Sequence, residues 1–137
     1  MRVRDAMTPS VKSVDASASL TEAATVMKSH DVGYLPVTRS GKAAGVVSDR
    51  DIVIRAVAAD MDPASTTVGE IMTEEIFTCH SDENIADAGR RMKSKKIRRL
   101  LVLDDSDQPV GVLSLGDIAE SRDADVAEDV LEEVCKH

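Results

Sequence analysis

The sequence predicts an α+β fold made of one β-α-β-β-α unit written twice. Three observations carry that expectation. The same text recurs at a fixed spacing, apolar residues recur at helical intervals behind polar caps, and pairs of short apolar runs flank polar turns. Shifted by 65 positions, as from Met7 to Met72, the chain matches itself at Val3, Met7 and Thr8 against Val68, Met72 and Thr73. Met27-Lys28-Ser29 then meets Met92-Lys93-Ser94, and Leu35 and Val37 meet Leu100 and Val102. After one inserted turn residue, Gly45-Val46-Val47-Ser48 and Asp51-Ile52 match Gly111-Val112-Leu113-Ser114 and Asp117-Ile118. Matches in a single order with one insertion in a turn mark a duplication.

The elements follow in order within each copy. A short strand comes first, Val11 to Val14 in the first copy and Ile76 to Cys79 in the second. A helix comes next, because Leu20, Ala23, Ala24 and Met27, like Ile85, Ala88, Gly89 and Met92, fall on one face at spacings of three and four. That face is expected in the core. Two strands then form a hairpin, Gly33 to Val37 with Ala43 to Val47 and Arg99 to Leu103 with Val110 to Leu113, around the turns TRSGK and DDSDQ. A second helix closes each copy. Polar caps followed by an acid three residues on mark the helix starts: Ser19 with Glu22, Asn84 with Asp87, Ser48 with Asp51, and Ser114 with Asp117. Thr67 to Glu70 resembles a further cap.

The expected organisation is a first repeat over 1–60, a linker over 61–67, a second repeat over 68–122 and an acidic amphipathic helix over 123–137. Pro63 and its small polar neighbours break the helical pattern at the linker. Val126, Val130, Leu131 and Val134 share one face of the terminal helix.

Composition limits what the protein does. Tyr34 and Phe77 are its only aromatics, so the core is aliphatic, with six Met as filler. A net charge of -8 and few rings for base stacking oppose nucleic acid as a partner. No apolar run is long enough to span a membrane, and MRVRDAMTPS lacks the apolar stretch of a signal peptide, so a cytoplasmic location is expected, with Cys79 and Cys135 as free thiols. Cys79-His80 and Cys135-x-His137 contain zinc-ligand residue types, but their spacing is not that of a closed four-ligand site, so no metal is expected. No nucleophile, base and orienting group form a catalytic constellation, and phosphate-loop and dinucleotide fingerprints do not occur. An enzyme is not expected.

The recurring M-T, A-x-x-x-M, the apolar-Pro-Val or Leu-Leu-Val strand, and Gly-apolar-apolar-Ser-x-x-Asp resemble the cystathionine-β-synthase (CBS) domain, most clearly in GVVSDRDIV and KKIRRLLVLD. The likeness covers residues 3 to about 120, twice over. It implies a tandem CBS-domain pair with pseudo-two-fold symmetry, forming a homodimer and carrying adenosine nucleotides in two clefts between the repeats. The ligand would be regulatory, of the AMP, ADP, ATP, NAD or S-adenosylmethionine class, with no required cofactor and with a regulated protein partner that the sequence does not name.

By that resemblance Asp51 and Asp117 hold the ribose diol, a role that suits a carboxylate, which accepts two hydrogen bonds. Ser48 and Ser114 stand beside them at the helix start. Ser13 and Thr78 match the hydroxyl at the end of the first strand, and Val32, Gly33, Tyr34, Pro36, Ile97, Arg98 and Arg99 match the segment lining the base. Arg50 in the first site, and Arg98 or Arg99 in the second, are candidates for phosphate. From local sequence alone, Ser-x-x-Asp is also a plain capping box. Tyr34, Pro36 and Arg50 occur only in the first copy and Leu101 replaces the proline in the second, so the first pocket is expected to be the better one. The rival reading is a structural dimerisation module with empty clefts.

Overall fold

The computed structural model describes residues 1–9 and 12–121. The helix expected over 123–137 and the strand residue Val11 lie outside them. The chain divides into two compact units, one of Ser10–Ile76 and one of Met1–Pro9 joined to the residues from Phe77 onward. Each unit thus combines one repeat with the short segment that precedes the other repeat in sequence.

In the first unit, β2 (Val14–Asp15) pairs in parallel with β3 (Tyr34–Arg39), which pairs antiparallel with β4 (Lys42–Ser48). Helix α2 (Leu20–His30) covers this sheet with Leu20, Ala23 and Met27. Ala24, expected on the same face, is exposed. It stands four residues after Leu20 and three before Met27, so spacing alone includes it, but it falls on the edge of the stripe away from Ala23, where the sheet does not cover it. After β4, a short α3 (Asp49–Asp51) continues as a wider π-helical turn over Ile52–Val57, where a plain α-helix was expected. Helix α4 (Val68–Ile71) completes the unit, and its Val68 and Ile71 join the same core. The linker region is tied down here: the Leu20 and Thr21 amides donate to the carbonyls of Thr66 and Pro63.

The second unit repeats the plan. Its sheet runs β1 (Thr8–Pro9), β7 (Pro109–Ser114), β6 (Arg99–Leu103), β5 (Thr78–His80), with β5 and β6 parallel and the other pairs antiparallel. Helix α5 (Ile85–Lys95) buries Ile85, Ala88, Gly89 and Met92 as the spacing predicts, α6 (Leu115–Ala119) follows β7, and α1 (Val3–Ala6) adds Val3. Fully buried side chains such as Leu20, Ile85, Leu100 and Leu113 each contribute about 1.5–3 kcal/mol relative to exposure.

The Met-Thr segments explain the glycines in the repeated motif. Thr8 pairs with Val112 and Pro9 with Gly111; Thr73 likewise bridges Val46. The segment passes so close that a Cβ at Gly45 would lie 2.6 Å from the Thr73 carbonyl oxygen, and one at Gly111 2.8 Å from both the Thr8 carbonyl oxygen and Met7 Sδ. Only a residue without a side chain fits. Gly116, by contrast, has nothing nearer than the Ser114 hydroxyl at 3.6 Å. Gly45→Ala and Gly111→Ala should therefore each destabilise the protein by about 1–3 kcal/mol in urea unfolding, while Gly116→Ala should be neutral or stabilising. Equal midpoints for all three variants would contradict the close approach.

Candidate functional site

The end of each hairpin nearest the second helix collects most of the residues singled out from sequence. Tyr34 pairs with Ser48 across β3 and β4, and Arg99 pairs with Ser114 across β6 and β7. One backbone bond then ties each helix start to the beginning of the hairpin: Asp49 N–H donates to Gly33 O and Leu115 N–H to Arg98 O, both at 2.9 Å. The two places are equivalent, residue for residue.

Each serine and aspartate forms a reciprocal capping box. Asp51 N–H donates to Ser48 Oγ at 3.1 Å and Ser48 N–H to Asp51 Oδ2 at 2.9 Å. The matching bonds between Asp117 and Ser114 measure 3.0 and 2.8 Å. The cap takes one oxygen of each carboxylate, and the other meets a different partner in each repeat. Asp117 Oδ1 accepts from the Thr8 hydroxyl at 3.2 Å, whereas Asp51 Oδ1 lies 3.8 Å from Arg55 Nε. Arg55 also donates to the carbonyls of Ile71 at 3.0 Å and Met72 at 3.2 Å, which satisfies the end of α4. A carboxylate oxygen carries more than one lone pair, so capping leaves acceptor capacity for a ligand hydroxyl.

The other predicted residues divide. Ser13 directly precedes Val14, which pairs with Val37, so it lies at the level of Pro36; Thr78 pairs with Leu101. Pro36 is buried, and Ile97 packs on the second core, so both are taken up by packing. Val32 is exposed, Gly33 and Tyr34 are half-buried, and Arg50, Arg98 and Arg99 are exposed. Arg98, Arg99, Ser114, Leu115 and Gly116 line an open hollow of about 640 Å³. Asp117 lines a smaller one of about 250 Å³ with Asp5 and Glu120, so the Ser114–Asp117 box stands between two depressions. A hollow of about 510 Å³ elsewhere in the first unit, lined by Asp15, Ser17, Arg39 and Glu70 among others, contains none of the predicted residues.

Several contributors were not read from the sequence. Thr8 was seen only as a marker of the repeat. Arg91 donates to the Thr78 carbonyl and to Glu83 Oε1, both at 2.7 Å, and thereby fixes the strand end that carries the Thr78 hydroxyl. Burial alone would raise the Glu83 carboxyl; the Arg91 hydrogen bond, the His80 amide and the nearby positive charges outweigh it, so the carboxyl is held below its ordinary range. Neighbouring Cys79 is buried, and burial with help from the Glu83 charge, against Arg91, pushes its thiol up to about 12. No group of three or more His, Cys, Asp or Glu that would hold a metal occurs among the described residues, and no described helix is long and apolar enough to cross a membrane.

This architecture, two sheet-and-helix repeats each carrying a Ser-x-x-Asp box, is that of a tandem CBS-domain pair. The CBS domain family matches the chain twice, over residues 3–57 and 68–123, and the chain belongs to that family. It is 38% identical over 117 residues to CBS domain-containing protein YhcV of Bacillus subtilis, covering 85% of this chain and 82% of that one. Among solved structures, it resembles the CBS domain protein PAE2072 of Pyrobaculum aerophilum complexed with AMP, at 27% identity and a TM-score of 0.72 over 100% of both chains. It also resembles the CBS domain pair of protein MJ0100 in complex with 5'-methylthioadenosine and S-adenosylmethionine, at 28% identity and a TM-score of 0.69 over 87% and 93% of the two chains.

The buried thiol yields a test of the core beneath this site. Cys79 should resist iodoacetamide at about pH 8 until the protein unfolds, because only the thiolate reacts and the folded state keeps the proton. Its pKa is raised on folding from 9.0 to about 12, so the stability linked to it is whole below pH 9.0 and declines as pH rises toward about 12. Peptide mapping of alkylated protein and urea unfolding at rising pH check both points. Rapid native labelling of Cys79 would contradict its burial.

Proposed function

We propose that this chain is a regulatory, non-catalytic module that binds an adenosine nucleotide at the Ser-x-x-Asp boxes and passes occupancy to a protein partner in the cytoplasm. The observation that carries the reading is the duplicated box itself. Each repeat sets a carboxylate with spare acceptor capacity beside a hydroxyl and a hairpin start, and in the second repeat Ser114 and the hairpin start line a hollow of about 640 Å³ while Asp117 lines a second of about 250 Å³. The larger volume is within the range of small-ligand pockets, roughly 300–1,000 Å³. The AMP held by PAE2072 and the adenosyl ligands held by the MJ0100 pair support the same ligand class. Ser13, Tyr34, Ser48, Arg50 and Asp51 would serve the first site, and Thr78, Arg98, Arg99, Ser114 and Asp117 the second.

The module would act as a homodimer. Val53, Ile54 and Val57 are 54%, 55% and 60% exposed on the π-helical turn, and at the equivalent positions the second repeat places Ala119 and Glu120 against Val53 and Ile54. An apolar face of this kind on one repeat suits self-association. Occupancy would matter through a difference in affinity between two states of the assembly, since a ligand indifferent to both shifts neither.

A ligand at 100 times its dissociation constant stabilises the folded state by about 2.7 kcal/mol, so AMP, ATP, NAD or S-adenosylmethionine should raise the melting temperature by several degrees. Asp51→Ala combined with Asp117→Ala should remove that shift while lowering the ligand-free melting temperature, because each substitution also removes the carboxylate's hydrogen bond from the cap serine's amide, worth about 1 kcal/mol. A flat response to every adenosyl compound would falsify the nucleotide reading and favour a purely structural module.

A further inference from the structure

The two boxes are alike in backbone and opposite in charge at the point where the helix start meets the hairpin start. The bonds Asp49 N–H to Gly33 O and Leu115 N–H to Arg98 O, equal at 2.9 Å, place Asp49 where the second repeat has Leu115 and Gly33 where it has Arg98. In the first repeat the Asp49 carboxylate turns back over the hairpin start: its Oδ2 lies 2.7 Å from where a Cβ on Gly33 would stand, and its Oδ1 accepts from Arg50 N–H at 2.8 Å. In the second repeat Arg98 and Arg99 border the hollow together with uncharged Ser114, Leu115 and Gly116. At the bonded pair itself the first repeat has Gly33 and Asp49, a formal charge of -1, and the second has Arg98 and Leu115, a formal charge of +1; farther round the first box Arg55 offsets Asp51.

Resting on the nucleotide reading above, we infer that the repeats divide the ligand chemistry between them: the second takes the phosphorylated adenosine nucleotide, and the first takes an adenosine derivative without phosphate. Arginine forks hold phosphate oxygens by paired, charge-assisted hydrogen bonds. A guanidinium contact of this kind is worth about tenfold to a hundredfold in affinity. At the first place a phosphate would meet the Asp49 carboxylate in the space that Gly33 leaves open, and Arg50 stands between Asp49 and Asp51, so on this division Arg50 is withdrawn as a phosphate ligand. A neutral or cationic substituent meets no such repulsion there, and the Asp51 carboxylate still accepts the ribose hydroxyls. The expectation that the first pocket is the better one therefore holds for unphosphorylated ligands and reverses for phosphorylated ones.

Calorimetric titration of the full chain with AMP and with adenosine tests this division. The quantity to follow is the ratio of the tightest AMP affinity to the tightest adenosine affinity. Arg98→Gln with Arg99→Gln should lower that ratio about tenfold or more, whereas Arg98→Lys with Arg99→Lys should recover only part of it, since the charge returns without the fork. Asp49→Leu should loosen the first site's rejection of phosphate, giving AMP a second binding event, roughly threefold or more tighter than any seen there in the unmodified chain. Urea midpoints within error of the unmodified chain establish that each variant is folded. A ratio untouched by the Gln pair, or AMP binding unmoved by Asp49→Leu, overturns the division while leaving nucleotide binding in place. If neither AMP nor adenosine binds the unmodified chain, the division and the nucleotide reading fall together.

Discussion

The reciprocal hydrogen bonding of Ser48 with Asp51, and of Ser114 with Asp117, is the constraint on which the rest of each repeat depends. It turns the chain from the last strand of the sheet into the second helix and satisfies two backbone amides at that turn. It also fixes the carboxylate in space. An aspartate held only by solvent would sample several rotamers, whereas one held by the serine amide presents its remaining acceptor capacity in one direction. Under the proposed function structural cap and ligand receptor would be one object, and the capping reading of the motif is compatible with the binding reading.

The second recurring device is the passage of a Met-Thr segment against a glycine. Gly45 and Gly111 are required because Thr73 and Thr8 cross them in contact. In the second unit the crossing also delivers the Thr8 hydroxyl to Asp117. The same geometry that closes the core therefore reaches the candidate site, which links packing at the glycine to the position of the carboxylate.

Much of this was legible in the sequence because it is local. Helix faces follow from three- and four-residue spacing, as Ile85, Ala88, Gly89 and Met92 show, and the Ser-x-x-Asp caps lie within one turn. What was not legible is what joins distant segments. The periodicity of α2 includes Ala24 in the core face as readily as Ala23, and only the packed structure separates them. Arg55 reaching the carbonyls of Ile71 and Met72, and Arg91 reaching Thr78, depend on tertiary placement that no spacing rule encodes. Asn84 caps through the Ala86 amide, one residue short of the capping-box spacing read with Asp87. The role of Asp49 was hidden in the same way, since its carboxylate matters only because Gly33, far away in sequence, leaves room for it.

The central claim is that the capped ends of the two hairpins are where ligand binds. Amide chemical-shift mapping during titration with AMP and adenosine tests it most directly. The account predicts shifts concentrated at Gly33, Tyr34 and Ser48 to Asp51, and at Arg98, Arg99 and Ser114 to Asp117. Shifts confined to the hollow formed by Asp15, Ser17, Arg39 and Glu70, with the capping boxes unmoved, would contradict it.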